Sequence, residues 1–159
     1  MAAVLLLASL AGCGEEKIPP IRIGDPAPEF QATDLAGAGF SLAAKRGQPV
    51  ILRFFLPDCK FCKADTAVFS DYFSRYHAQG LEIVYINTAG SDDELRTFVE
   101  QLKIPFPVIN DSDGRLAAKY RVQAVPQTIV LDPDHLLRAA ILGGVSAEEL
   151  DAILGTFFQ

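Results

Sequence analysis

The chain has 159 residues, half of them hydrophobic, with 14 basic and 20 acidic side chains and a formal net charge of −6. That length supports one domain whose core can stand without covalent staples. The acidic balance and the scatter of the basic residues exclude a phosphate-tracking surface, so no nucleic-acid partner is expected.

Residues 1–12 carry no charge and are mostly Ala, Val and Leu. The run is too short to span a bilayer, which takes roughly 20 residues, and it reads as the apolar core of a signal peptide. The alternative is an apolar N-terminal strand or helix with an incidental cysteine. The junction Leu10-Ala11-Gly12-Cys13 resembles the lipobox of bacterial lipoproteins, in which the cysteine is lipidated and becomes the first mature residue. This resemblance implies a signal peptide over residues 1–12, a lipidated tether over 13–22 and a folded domain over 23–159. Acyl chains on Cys13 would hold the protein on a membrane face. Of the three cysteines, Cys59 and Cys62 then remain to pair with each other.

Beyond the tether, Phe30 to Leu35 and Phe40 to Leu42 flank the turn-prone Ala36-Gly37-Ala38-Gly39, which predicts a short hairpin. Val50 to Leu56 is nearly continuous in apolar residues, as in a strand covered on both faces, and Pro57-Asp58 ends it. Val68, Phe69, Tyr72, Phe73 and Tyr76 recur at three- and four-residue steps and predict a helix that closes at Gly80. Leu81 to Ile86 is a second central strand. Ser91 and Glu94 form a capping-box signature opening a helix through about Lys103. Pro105 and Pro107 interrupt regular structure, Asp111 to Gly114 is a turn cluster, and Leu116 to Tyr120 suits a short helix. Gln127 to Leu131 reads as a strand, Pro133-Asp134 as a hairpin turn into Leu136 to Leu142, and Gly143-Gly144 as a break. Ser146 and Glu149 satisfy another capping box, with Leu150, Ile153, Leu154, Phe157 and Phe158 as the buried stripe of a last helix. This order describes an α/β sandwich with a mixed sheet.

Cys59-Lys60-Phe61-Cys62 lies where the first apolar strand gives way to the first helix. Two cysteines at that spacing can close a small disulfide ring, and a helix N-terminus favours negative charge on the first sulfur, so the pattern suits thiol-disulfide exchange. Half of a zinc site is the other reading. No second Cys-x-x-Cys or paired-histidine set accompanies it, and His77 and His135 stand alone, the first as a helix-surface residue and the second as a turn residue.

With this pair, the element order and Val125-Pro126-Gln127-Thr128, the chain resembles the thioredoxin superfamily, specifically its TlpA/ResA-like thiol-disulfide oxidoreductases. Ile23-Gly24-Asp25-Pro26-Ala27-Pro28-Glu29-Phe30, Phe106-Pro107-Val108 and Tyr120-Arg121-Val122 add to the match. The resemblance implies a thioredoxin-like fold, a mixed central β-sheet flanked by helices with an N-terminal β-hairpin extension. It implies Cys59 as the attacking thiolate and Cys62 as the resolving thiol, with no cofactor and no metal. Pro126 would be cis, and the backbone of Val125 beside it would bind an extended substrate segment. The expected partners are protein disulfide substrates and a membrane thiol-reducing electron donor. The expected place is the bacterial cell envelope, lipid-anchored on its periplasmic or extracytoplasmic face.

The chain departs from that pattern in three places. Asp58 replaces the usual tryptophan; its carboxylate opposes a thiolate at Cys59 while Lys60 and Lys63 favour one, and a helix-capping role is the expected one. Phe61 replaces a common proline and is either a docking surface or a core contact. Arg53 stands where thioredoxin has a buried acid; it either pairs with Asp65 or Glu94 or reaches solvent from a strand edge.

Two other functions fit parts of the pattern. A peroxiredoxin would need threonine and cysteine where Phe61 and Ala64 stand, and a Sco-like copper-binding module would need one more residue between the cysteines and a placed histidine.

Overall fold

The computed structural model describes residues 21–158. The expected signal peptide, the lipidation at Cys13 and all but the last two residues of the tether lie outside them. Seven strands and four helices follow one another in the order β1 (Gln31–Thr33), β2 (Gly39–Ser41), β3 (Val50–Phe55), α1 (Lys60–Tyr76), β4 (Glu82–Asn87), α2 (Asp92–Leu102), β5 (Val108–Asn110), α3 (Arg115–Lys119), β6 (Gln127–Leu131), β7 (Leu137–Leu142) and α4 (Ala147–Leu154).

The main sheet has the strand order β5-β4-β3-β6-β7. β3, β4 and β5 run parallel, while β6 and β7 are antiparallel to their neighbours. Every residue of β3 and β4 is buried, which is why both read as almost unbroken apolar runs. Side chains alternate between the faces along β3. Ile51 and Phe55 face a cluster built from α1, α2 and α4, whereas Val50, Leu52 and Phe54 face one that includes Phe30 and Phe40 of the hairpin region and Leu116 of α3. The fully buried phenylalanines each contribute about 1.5–3 kcal/mol by leaving water.

The expected hairpin is present as β1 and β2, with the Asp34 carboxylate accepting the amides of Ala36 and Ala38 to close the turn. Both capping boxes form, Ser91 with Glu94 on α2 and Ser146 with Glu149 on α4. Gly80 takes a φ of 105° where the chain leaves the turn after α1, a conformation that costs glycine little.

Pro105 and Pro107 interrupt regular structure as expected, and directly after them lies an edge strand, β5, that the sequence pattern does not announce; the Pro107 carbonyl accepts the Tyr85 amide at 3.0 Å. One expectation needs correction. The last helix stops at Leu154, so Phe157 and Phe158 lie beyond it, although both still pack on the core and the Phe158 ring stacks on Tyr76 at 4.8 Å.

Candidate active site

β3 ends at Phe55, and a turn in which the Cys59 amide donates to the Leu56 carbonyl at 3.1 Å delivers Cys59 to the start of α1. Cys59 is itself the N-cap, with extended backbone, and its Sγ accepts the Cys62 amide at 3.2 Å. The sulfur thereby occupies the position expected of Asp58, whose side chain is exposed and makes no hydrogen bond among the described residues. A helix N-terminus has unpaired amides to offer, and here the nearest acceptor is the reacting atom.

Both cysteines are free thiols, and they are unequal. Cys59 is partly exposed, while Cys62 is wholly buried. Burial and the hydrogen bond to Cys59 push the Cys62 thiol up to about 12, against the smaller opposing pulls of a Leu56 backbone hydrogen bond and, weaker still, of positively charged Arg53. Thr66, one turn on, donates its hydroxyl to the Cys62 carbonyl at 2.5 Å.

Val125 and Pro126 lie at the same end of the sheet. Antiparallel pairing sets Gln127 opposite Phe54, so the two residues before Gln127 reach the level of the β3–α1 turn. The Val125–Pro126 peptide is cis, Pro126 is buried, and its carbonyl accepts the Gly143 amide at 2.8 Å. Among the described residues, no hydrogen bond uses the amide or carbonyl of Val125.

The surface around the pair is apolar on one side. Phe61 and Leu142, with relative exposures of 63% and 68%, are two of the three large exposed hydrophobic residues described. They are linked by Gly143 and Gly144; a Cβ on Gly144 would stand 3.9 Å from the Phe61 ring and 3.8 Å from the Asp65 carboxylate. Phe61 therefore belongs to the surface and not to the core. On the other side a groove of about 470 Å³ runs between Leu56, Pro57, Asp58 and Lys63 and the α2 residues Glu94 and Phe98.

Beneath the pair, Arg53 is fully buried and paired with Asp65, at 2.5 Å, so the strand-edge alternative is excluded and Glu94 is not the partner. The Asp65 carboxylate also accepts the Val145 amide at 3.0 Å, and burial raises its pKa despite Arg53. Asp65 lies three residues after Cys62 on the buried face of α1, a polar residue at a core position of the helical stripe. That placement is a signal the sequence carried.

His77 is exposed and stacks on Phe73, as a helix-surface residue does. His135 is in its expected turn, but its ring is fully buried, with Nε2 3.1 Å from the Lys45 carbonyl. Neither histidine is near the cysteines in the contacts they make. Among the described residues, no group of three or more His, Cys, Asp or Glu side chains is placed to hold a metal ion.

A family profile described as AhpC/TSA matches residues 23–140. A protein named thiol-disulfide oxidoreductase ResA from Bacillus thuringiensis subsp. konkukian is 31% identical over 140 residues, 88% of this chain and 79% of the relative. A secreted Mycobacterium tuberculosis disulfide oxidoreductase, described as homologous to E. coli DsbE, superposes with a TM-score of 0.72 at 28% identity over 80% of this chain and 95% of its own. A Chlorobium tepidum structure described as a thiol:disulfide interchange protein DsbE superposes with a TM-score of 0.80 over 86% of this chain and 97% of its own; at 23% identity it attests the thioredoxin-like fold alone.

Proposed function

We propose that Cys59 and Cys62 carry the chemistry of this protein, which belongs to the AhpC/TSA family and is a thiol-disulfide oxidoreductase. The observation that supports the assignment is the inequality of the two sulfurs. One is reachable and caps a helix; the other is buried and held as a thiol. Cys59 Sγ attacks a substrate disulfide, forming a mixed disulfide and releasing one substrate sulfur as a thiolate. Cys62 then gives up its proton and attacks Cys59 Sγ. The Cys59–Cys62 bond forms, the bond to substrate breaks, and the second substrate sulfur departs and takes up a proton. The substrate gains two electrons and the protein loses two. No cofactor enters either step.

The substrates are protein disulfides. Phe61 and Leu142 supply apolar contact beside the reacting sulfur, and the unpaired backbone of Val125 offers an amide and a carbonyl to an extended segment. The sequence of residues 1–13 supports a reading in which the protein is exported, lipidated at Cys13 and held at the extracytoplasmic or periplasmic face of a bacterial membrane. A membrane thiol-reducing donor would return the pair to the dithiol. Replacement of Cys13 by alanine should move the protein from the membrane fraction to the soluble one.

Trapping tests the assignment. Cys62→Ser should accumulate mixed disulfides with envelope proteins, and Cys59→Ser should accumulate none; equal trapping by both variants would overturn the roles. Equilibration with glutathione should give a reducing potential, and a value near that of strong disulfide donors would reverse the direction of electron flow while leaving the exchange chemistry intact.

A further inference from the structure

A buried arginine is expensive to desolvate, and an aliphatic side chain of similar volume often stabilises such a position as well or better. Arg53 nevertheless lies between Ile51 and Phe55 on the α1 face of β3 with no exposed surface, its guanidinium 5.1 Å from the centre of the Phe69 ring. It donates to the three segments that build the site. Nη2 reaches Asp65 of α1 at 2.5 Å, while Nη1 reaches Thr128 of β6 at 2.5 Å and the Gly143 carbonyl after β7 at 3.1 Å. Thr128 is two residues from Pro126, and Gly143 is bonded to Pro126 itself. One side chain thus ties the cysteine helix to β6 and to the exit of β7.

We propose that Arg53 is a positioning residue for the resolving step, its fixed charge offsetting the thiolate that Cys62 must become inside the core. The proposal rests on the roles assigned above to Cys59 and Cys62. The ionisable groups that face this interior are Cys59 and Cys62, Asp65 on α1, Tyr85 on β4 and Arg53 on β3. Burial keeps Tyr85 neutral, so no phenolate adds to the negative charge, and Arg53, paired with Asp65, is the one basic group among them. Its field lowers the Cys62 thiol against the burial that raises it, acting in the same direction as a stronger backbone hydrogen bond from Leu56. Asp65 and Thr128 hold the planar fork, and a buried charge held this way needs no rearrangement when the second charge appears. As Cys62 gives up its proton, negative charge forms in an interior that already holds a cation, and on attack that charge passes to the departing substrate sulfur, which takes up a proton.

Three variants separate charge from scaffolding: Arg53→Lys keeps the charge and loses the fork, Arg53→Met removes the charge, and Arg53→Met with Asp65→Asn removes it without leaving a buried carboxylate unpaired. Each is measured by the rate at which a preformed mixed disulfide between Cys59 and a cysteine peptide resolves, followed from pH 6 to 10. The Arg53→Met and double variants should resolve about tenfold more slowly at neutral pH, the change that follows when the Cys62 titration moves up by about one pH unit. Arg53→Lys should stay within about threefold of the native rate, since one pH unit separates retained charge from lost charge. Formation of the mixed disulfide by the same variants carrying Cys62→Ser should be unaffected. The proposal is overturned if the folded double variant resolves at the native rate with an unshifted pH profile, or if Arg53→Lys is as slow as Arg53→Met. A protein that forms no mixed disulfide through Cys59 would instead refute the assignment of the cysteines, so the two failures are distinguishable.

Discussion

Cys62 can be reached by chemistry only through Cys59. Limited alkylation of the reduced protein near neutral pH should modify Cys59 alone, as peptide mass mapping would record; prior labelling of Cys62 would contradict the buried position. The same thiol couples folding to pH. Its folded-state value is raised to about 12 by burial and the Cys59 hydrogen bond, so the native state keeps a proton that the unfolded chain releases at ordinary thiol pH. The stabilisation is present below the ordinary thiol value and is lost as pH rises towards 12, so the Tm of the reduced protein should fall over that interval. The oxidised protein has no thiol at this position and should lack that component of the decline. Phe61 is testable by substrate size. Phe61→Ala should slow reduction of a protein disulfide roughly tenfold, the value of one apolar side chain left uncovered, and leave the rate with glutathione disulfide unchanged. Equal losses on both would mean that Phe61 supports the helix and not the partner.

At the scale of single elements, the local rules were legible where chemistry and period agreed. Both capping boxes and the two buried central strands formed where their residues placed them. Ser91→Ala should cost about 1 kcal/mol in urea unfolding, as lost N-caps do, without changing the alkylation of Cys59. β5 was hidden because its three residues are too few for a periodic signal and two prolines precede them; only pairing with Tyr85–Asn87 makes it a strand. α4 was overextended because Phe157 and Phe158 continue an apolar spacing that a nonhelical turn also buries. The cap of α1 was assigned to Asp58 because carboxylates are common caps, whereas the backbone turn brings the sulfur of the next residue to the amides. Arg53 was ambiguous for a different reason. Alternation placed it on a covered face, but its partner lies twelve residues away on another element, and sequence holds no measure of that distance.

The whole molecule is asymmetric about its sheet. One face is covered by three helices, the other by a small hairpin, the leading segment and the five-residue α3. The site draws on the end of β3, the start of α1, the approach to β6 and the exit of β7, so it exists only when the sheet is assembled. A chain reduced to residues 23–159 should therefore unfold in one transition, with loss of Cys59 selectivity coinciding with loss of secondary structure; separate midpoints would show that the site melts independently.

The leading segment joins this assembly at the start of β7, where the Gly24 amide donates to the Leu137 carbonyl at 2.8 Å and the Leu137 amide to the Asp25 carbonyl at 2.9 Å. The cysteines adjoin the opposite end of that strand, past Leu142. Five residue steps of extended chain separate the two by about 17 Å. For a domain held by its N-terminus, residues 21–25 would enter at the pole opposite the cysteines, leaving the reactive pole turned outward to meet passing proteins.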